Sequence, residues 1–346
     1  MTKNYLVTGG SGYLGSVLSK KLLELGNKVR IIDLFKPDFT HNNFEFILFD
    51  ITKMNYENSK NIFKDIDVVH HNAATLPIEN DDNKFFEVNE KGTKNVIEFS
   101  VKNNVKAFVY MSSAAIFAKV NIEIINEQTQ PIPLEKYGQT KYNGELVLEK
   151  YKDMINISII RPRTVLGGER YGIFQLIFEW VHKNYRIPVI NHGDFKFQFI
   201  HCNDLVDFSI IAENITGYNI FNVGTDQICT IKELMEGLIK HSKSKSKILF
   251  LPKITYQLIN FLSYLKLSPI NTWHSSALSK TQFYDITKAT NETDWKPKFD
   301  NISTINESYD SYIKNRKNIL LKKHGSVHSK KLKKGILYLF EFFLRF

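Results

Sequence analysis

The stretch TGGSGYLG, Thr8 to Gly15, constrains this chain more than any other segment. It follows a short apolar run, NYLVT at 4–8, and leads straight into an amphipathic stretch at 13–26. Gly9, Gly12 and Gly15 recur every third residue. In a strand–turn–helix setting the first glycine permits the tight turn. The second lets backbone amides approach a pyrophosphate, and the third lets helix pack closely on strand. The helix start contributes free N–H groups and a favourable dipole. A glycine turn alone is a weak sign, but here a second strand, KVRIID at 28–33, ends on Asp33, 18 residues beyond Gly15. A carboxylate there accepts from adenosine ribose hydroxyls and repels a 2′-phosphate, which favours NAD over NADP. Leu34 and Phe35 bring no arginine, and Lys36 is the nearest cation. Gly9, Gly12, Tyr13, Leu14, Gly15 and Asp33 are therefore expected to hold the dinucleotide.

Further strand-like runs follow at 44–49, 67–71, 106–112 and 156–160, with a helical pattern at 83–102 and another near 135–150. The strands are close to continuously apolar, as expected when both faces of a sheet are buried. Strand–helix alternation of this kind predicts an α/β chain with a doubly wound parallel sheet. Within the second helix, YGQTK sets Tyr137 and Lys141 four residues apart, on one face. Tyrosine ordinarily titrates near pH 10. A fixed ammonium and a positive nicotinamide ring favour its phenolate and make it a usable base. Such a pair also occurs on ordinary exposed helices. It gains weight from Ser112 and Ser113 at the end of the fifth strand, because ligands of such sheets bind off the carboxyl ends of strands.

On these residues the chain resembles an extended short-chain dehydrogenase/reductase of the NAD-dependent epimerase/dehydratase family, over residues 3 to about 312. The resemblance implies a Rossmann-type sheet at 1–162, a smaller C-terminal α/β substrate lobe at 163–313, and a tail at 314–346. It adds Asp50 and Ile51, from FDI at 49–51, as adenine contacts. Asn72, Ala73 and Ala74, from HHNAA, would line the cofactor, joined by Asn89 from VNEKGTKNV. RPRTVLG at 161–167, FIHCNDL at 199–205, FNVG at 221–224 and FYDITKATNETDWKP at 283–297 also match family segments. By the same resemblance Tyr137 takes the substrate's hydroxyl proton and Ser113 bonds the forming carbonyl oxygen. Lys141 supports Tyr137 and holds the nicotinamide ribose.

The pattern departs in three places. Ala114 and Ala115 replace the acid pair of related dehydratases, which argues against water loss. Phe197 stands where the family's diphosphate-clamping arginine precedes the I-H-x-x-D stretch, and the neighbourhood of Lys280 replaces a second arginine. RPRTVLG lacks the asparagine of many hexose epimerases, leaving Arg163 and Arg170 as cations reaching in from other directions.

Composition bounds the rest. Ten of the 46 basic residues but only one of the 36 acidic ones lie beyond residue 313, so the body is nearly neutral. A nucleic-acid partner is thereby disfavoured. Cys202 and Cys229 are too few for a disulfide framework. His70, His71 and His201 read as packed or cofactor-lining residues, and no metal site is expected. The aromatic stretch 254–267 reads as a core or pocket helix. The terminal KKLKKGILYLFEFFLRF, too short to span a bilayer, suits an interfacial anchor on an anionic membrane, with docking on the body as the alternative. The reading is a cytoplasmic enzyme, with its tail at the inner membrane face, that epimerises a nucleotide sugar. The alternative is a membrane-associated dehydrogenase of a lipid or sterol-like hydroxyl. A silent NAD sensor or scaffold has no need of the Ser113–Tyr137–Lys141 set. A homodimer through two helices is usual for the family.

Overall fold

A computed structural model describes residues 2–75, 84–169, 171–257, 261, 280–321, 341 and 343–345. The first apolar run is β1 (Asn4–Thr8), and α1 (Tyr13–Glu24) starts at the glycine loop. Next come β2 (Lys28–Asp33), β3 (Phe44–Leu48) and β4 (Val68–His71). The pattern at 83–102 divides into a π-helical segment, Phe85–Gly92, and α2 (Thr93–Lys102). The wider turn sets Phe85, Asn89 and Gly92 on the buried side. After β5 (Ala107–Met111), Ser113 caps a short 3-10 turn, Ala114–Phe117. Then follow α3 (Lys136–Glu149) and β6 (Asn156–Pro162).

The sheet has seven strands, all parallel, in the order β7–β6–β5–β4–β1–β2–β3, where β7 is Tyr218–Val223. It is a Rossmann-like doubly wound sheet. Strand order reverses between β1 and β4, which opens a crevice at their carboxyl ends. One face buries Leu6, Val69, Phe108 and Ile157 with Val96 and Leu148 from the helices. The other buries Tyr5, Val7, Val29 and Ile31 against Leu18 and Leu22 of α1.

The seventh strand comes from beyond residue 162, so no single cut in sequence separates the sheet from the substrate lobe. The reason is pairing: β6 would otherwise be a buried, unpaired edge, and β7 satisfies it from Ile157 to Pro162. Leu205, Phe208, Tyr284 and Trp295 of the lobe pack with Val109 and Ile160 of the sheet, and the lobe also has a core of its own. There Phe174, Phe178, Phe197, Phe199, Leu234 and Tyr312 pack together. Two short parallel pairs frame it, Thr164–Leu166 with Phe199–His201 and Ile187–Ile190 with Ile248–Leu251.

The long helix Asn301–Leu321 runs through residue 314 without a break. Arg316, counted as tail by sequence, pairs with Glu179 through Nη2 at 3.1 Å and through Nε. Most of the 314–346 tail, residues 322–340, lies outside the described residues, as does Arg170. The described end of the chain packs on the body. Leu344 is buried with Leu176 and Trp180, Trp180 Nε1 donates to Glu341 at 3.2 Å, and Arg186 N donates to Leu344 O at 2.8 Å. Most of the 254–267 stretch also lies outside. Its described residues Ile254 and Phe261 are exposed rather than core.

Candidate active site

The glycine loop is shaped for an anion. Gly9 has φ +67°, and a Cβ there would meet Ala73 N and Cα at 2.7 Å. A Cβ at Gly15 would lie 2.2 Å from Gly9 O, so the start of α1 can press onto the loop only with glycine at that position. Gly12 caps α1 with no side-chain hydrogen bond. Backbone amides are therefore the groups this helix start presents, as pyrophosphate binding requires. Tyr13 leaves the loop and donates its hydroxyl to Gly167 O at 2.6 Å, fastening the loop to the substrate lobe. Leu14 packs into the core under the crevice.

Asp33 closes the far side. Its Oδ2 accepts from Ser11 N at 3.0 Å, and Oδ1 accepts from Leu34 N at 2.6 Å and Phe35 N at 3.2 Å. Burial still outweighs these amides and holds the carboxyl above the usual aspartate range. Asp50 caps the turn Ile51–Lys53, accepting from Thr52 N at 2.9 Å, while Ile51 is buried against Gly92.

The crevice floor is one hydrogen-bond chain. Ala73 N donates to Thr8 Oγ1 at 3.2 Å, and Thr8 Oγ1 lies 2.6 Å from His71 Nδ1. His71 Nε2 lies 2.9 Å from Thr93 Oγ1, which itself donates to Asn89 O at 2.7 Å. Because that hydroxyl donates onward, His71 must donate to it through Nε2, and Nδ1 accepts from Thr8. Burial, then the Lys141 charge, pushes His71 down to about 3, so the imidazole is neutral. Asn72 and Ala74 flank Ala73 on this chain, and Asn72 Nδ2 is buried with no partner among the described residues. Asn89 also has a structural task. Its Oδ1 accepts from Thr75 N at 2.8 Å, and its Nδ2 donates to Thr75 O at 3.3 Å and Thr140 Oγ1 at 3.1 Å. Both ends of the amide are thus used in tying the loop after β4 to α3.

The reacting groups come from β5 and α3. Ser113 leaves β5 and accepts from Ala115 N at 3.2 Å, so the hydroxyl sits at the mouth of the 3-10 turn. A Cβ on Gly138 would lie 2.5 Å from Ala115 O. Glycine there brings the first turn of α3, with Tyr137, down onto the turn that Ser113 caps. Phe85 meets the Tyr137 ring edge-on, centroids 6.2 Å apart. Lys141 follows one turn later, 2% exposed, with Nζ 4.2 Å from the Tyr110 ring centroid. Burial lowers Lys141 to about 7, and the Glu145 charge opposes that fall.

Glu145 and Arg161 were not singled out by sequence, and Ser112, read with Ser113 as a crevice serine, is instead buried against them. Arg161 grips Glu145 with Nε to Oε1 at 3.1 Å and Nη2 to Oε2 at 2.6 Å, and Ser112 Oγ donates to the same carboxylate. The buried trio locks the ends of β5 and β6 to α3. A further i+4 step from Lys141 marks Glu145, but its partners lie far away in the chain.

The remaining sequence candidates are accounted for structurally. Phe197 is core, ring centroids 4.9 Å from Phe199. His70 pairs with Glu213 at 3.0 Å, and His201 stacks on Phe299 at 3.8 Å while capping helix Cys202–Ala212. Cys202 is buried and pushed up to about 11 by burial, far from a reactive thiolate. Lys280 donates to Val120 O at 2.7 Å and Ala118 O at 3.3 Å. No helix among the described residues is long and apolar enough to cross a membrane.

NAD fits this arrangement. The amides of the loop Gly9–Gly15 suit its pyrophosphate, Asp33 the adenosine ribose, Asp50 and Ile51 the adenine side, and Lys141 with Tyr137 the nicotinamide ribose.

Comparison with known proteins agrees with the geometry. The model of the NAD dependent epimerase/dehydratase family matches residues 5–224. An uncharacterized protein of Sinorhizobium fredii is 37% identical over 348 residues, covering 100% of this chain and 87% of that one. A putative UDP-glucose 4-epimerase of Methanocaldococcus jannaschii is 30% identical over 251 residues, 68% of this chain and 81% of its own length. Among solved structures, the UDP-glucose 4-epimerase of Thermotoga maritima with UDP-glucose superimposes with TM-score 0.75 at 22% identity. That match covers 90% of this chain and 99% of that one, and it shows a shared fold.

Proposed function

This chain belongs to the NAD dependent epimerase/dehydratase family, and we propose that within it the protein epimerises a secondary hydroxyl of a nucleotide sugar. It is an NAD-dependent enzyme of the extended short-chain dehydrogenase/reductase type. The observation that carries the reading is the base assembly. Lys141 is buried one turn below Tyr137, on a helix that Gly138 sets against the Ser113 turn. A cation there stabilises the Tyr137 phenolate, which takes the proton of the substrate hydroxyl. Ser113 Oγ donates to the oxygen as it becomes a carbonyl. Bound NAD supplies reversible two-electron chemistry at the adjacent carbon. The buried, apolar Ala114 and Ala115 offer no acid to expel water, so the residues support epimerisation over dehydration.

The nucleotide-sugar assignment draws on the likeness to the Methanocaldococcus jannaschii relative. The lipid-alcohol alternative draws on a membrane anchor, and the packing of Leu344, Glu341 and Arg186 supports a tail docked on the body instead. The proposal includes a cytoplasmic enzyme whose sheet domain, residues 1–162 completed by β7, works with a substrate lobe drawn from the rest of 163–313. It also includes a homodimer, for which Leu146, left exposed on α3, is a candidate contact.

Proton NMR of purified protein incubated with a panel of UDP-hexoses, beginning with UDP-glucose, tests the reading. A second anomeric signal should grow to a fixed ratio without added NAD and without net NADH. Stoichiometric NADH accumulation would identify a dehydrogenase, and unchanged spectra across the panel would reject the substrate class.

A further inference from the structure

Two arginines stand two residues apart at the carboxyl end of β6, and their charges are treated differently. Arg161 is matched by Glu145. Arg163 is also buried, 5% exposed, yet no carboxylate among the described residues pairs with it. One amino group, Nη2, donates to Gln282 O, and the guanidinium lies 5.6 Å from the Tyr284 ring centroid. Among the described residues Arg163 Nε has no partner, nor do two buried hydroxyls, Oη of that Tyr284 ring and Oγ1 of the next residue, Thr164.

The neighbouring carboxylates are committed elsewhere. Glu145 serves Arg161 and Ser112, and Glu127 Oε1 accepts from Asn222 N at 2.8 Å. The nearest other charge is a second cation. Burial, and then the charge of Arg163, hold Lys280 below the ordinary lysine range. Lys280 reaches the carbonyls of Ala118 and Val120, just beyond the turn that Ser113 caps. The uncompensated charge therefore sits near the segment that follows the Ser113 turn, where the chain passes into the substrate lobe. A buried guanidinium without a counter-charge is costly, and three orphaned polar atoms around it need a partner.

We propose that Arg163, with the hydroxyls of Tyr284 and Thr164, forms a subsite for an oxyanion carried by the substrate. That oxyanion is a carboxylate on the sugar or a phosphate of its diphosphate. The subsite rests on the nucleotide-sugar reading, and it replaces the clamp lost at Phe197, whose side chain is core. Guanidinium suits either oxyanion because its fork donates two parallel hydrogen bonds.

Arg163→Met and Arg163→Lys in the full-length, NAD-saturated protein test the proposal, read by calorimetry and thermal shift. The probes are inorganic pyrophosphate, glucuronate, UDP-glucose and UDP-glucuronate. Arg163→Met should weaken at least one probe tenfold or more and raise the melting temperature of the ligand-free protein. A loss confined to glucuronate and UDP-glucuronate assigns the subsite to a carboxylate. A loss shared by pyrophosphate and both UDP-sugars assigns it to the diphosphate. Arg163→Lys should retain part of the affinity, and it carries the test if the methionine variant fails to fold. Probe affinities equal to wild type, or wild type that binds none of the four probes, overturn the subsite. Binding of pyrophosphate or glucuronate through Arg163, with neither UDP-sugar bound, keeps the subsite and removes the nucleotide-sugar reading.

Discussion

The cofactor side and the substrate side of the crevice are built by different means. On the cofactor side, recognition rests on backbone: glycine-shaped amides at 9–15 and a carboxylate at the end of β2. The loop and Asp33 lie within about thirty contiguous residues, and sterics leave little choice, since a Cβ at Gly15 would meet Gly9 O at 2.2 Å. On the substrate side, the proposed subsite rests on side chains drawn from distant segments, Arg163 and Tyr284, with the guanidinium also bonded to the Gln282 carbonyl. Here the family's clamp has given way to a buried phenylalanine, Phe197, that helps close the lobe's own core. A backbone site is preserved by geometry, whereas a side-chain site can be exchanged residue by residue. The two halves can therefore diverge independently on one sheet.

Four experiments would break or sharpen this contrast. The largest effect is expected at the seam between the halves. Tyr137→Phe keeps the ring against Phe85 but removes the base, so turnover should fall about 10²–10⁴-fold with NAD affinity nearly unchanged. Near-normal turnover would detach the chemistry from α3.

The next tests whether the cofactor side acts alone. Asp33→Asn should erase a preference for NAD over NADP of about tenfold, about 1.4 kcal/mol, measured by titrating both nucleotides. Wild-type NAD affinity should also weaken on acidification earlier than an ordinary aspartate would dictate, because burial raises the Asp33 pKa. Equal affinities for the two nucleotides in the wild type would remove Asp33 from the site.

Lys141 gives a stability signature of the seam itself. Its folded pKa of about 7 lies below the unfolded value of 10.5. Between those values the unfolded chain holds a proton that the folded chain lacks, so stability should rise with pH across that window. The burial penalty is fully present below pH 7. Lys141→Met should therefore stabilise the ligand-free protein most at low pH, with the gain shrinking toward pH 10. Denaturant titrations at several pH values that gave a constant difference would contradict the depressed pKa.

The smallest effect belongs to the tail. Ending the chain at residue 321 removes Leu344 from Leu176 and Trp180 and should lower the melting temperature by a few degrees, roughly 2–4 °C per kcal/mol lost. Vesicle sedimentation should be unchanged by the truncation. Loss of binding to anionic vesicles, with the melting temperature kept, would restore the membrane anchor.

Much of this was open to reading along the chain. The strands of the sheet announce themselves as unbroken β-branched runs, and YGQTK sets the reactive pair on one helical face. The π-helical segment at 85–92 was hidden because its apolar pattern is also compatible with an ordinary helix. Asn89 was recognised as a motif residue, but its role in tying Thr75 to Thr140 depends on a contact across 51 positions. Glu145 lies in register with Lys141, yet nothing local says that Arg161, 16 residues on, will neutralise it.

The sequence by itself marked six of the sheet's strands, the dinucleotide loop and the candidate base, because each depends on local periodicity, glycine sterics or i+4 spacing. Only the tertiary structure decided the charge states. Lys141 falls to about 7 because burial strips its water while Glu145 partly compensates. His71 stays neutral because burial strips its water and the Lys141 charge opposes a second positive charge beside it. Among the described residues Arg161 is matched and Arg163 is not, because the Glu145 carboxylate on α3 lies against the first. Desolvation and Coulomb energy depend on distances through space, and those distances exist only once the strands and helices have packed.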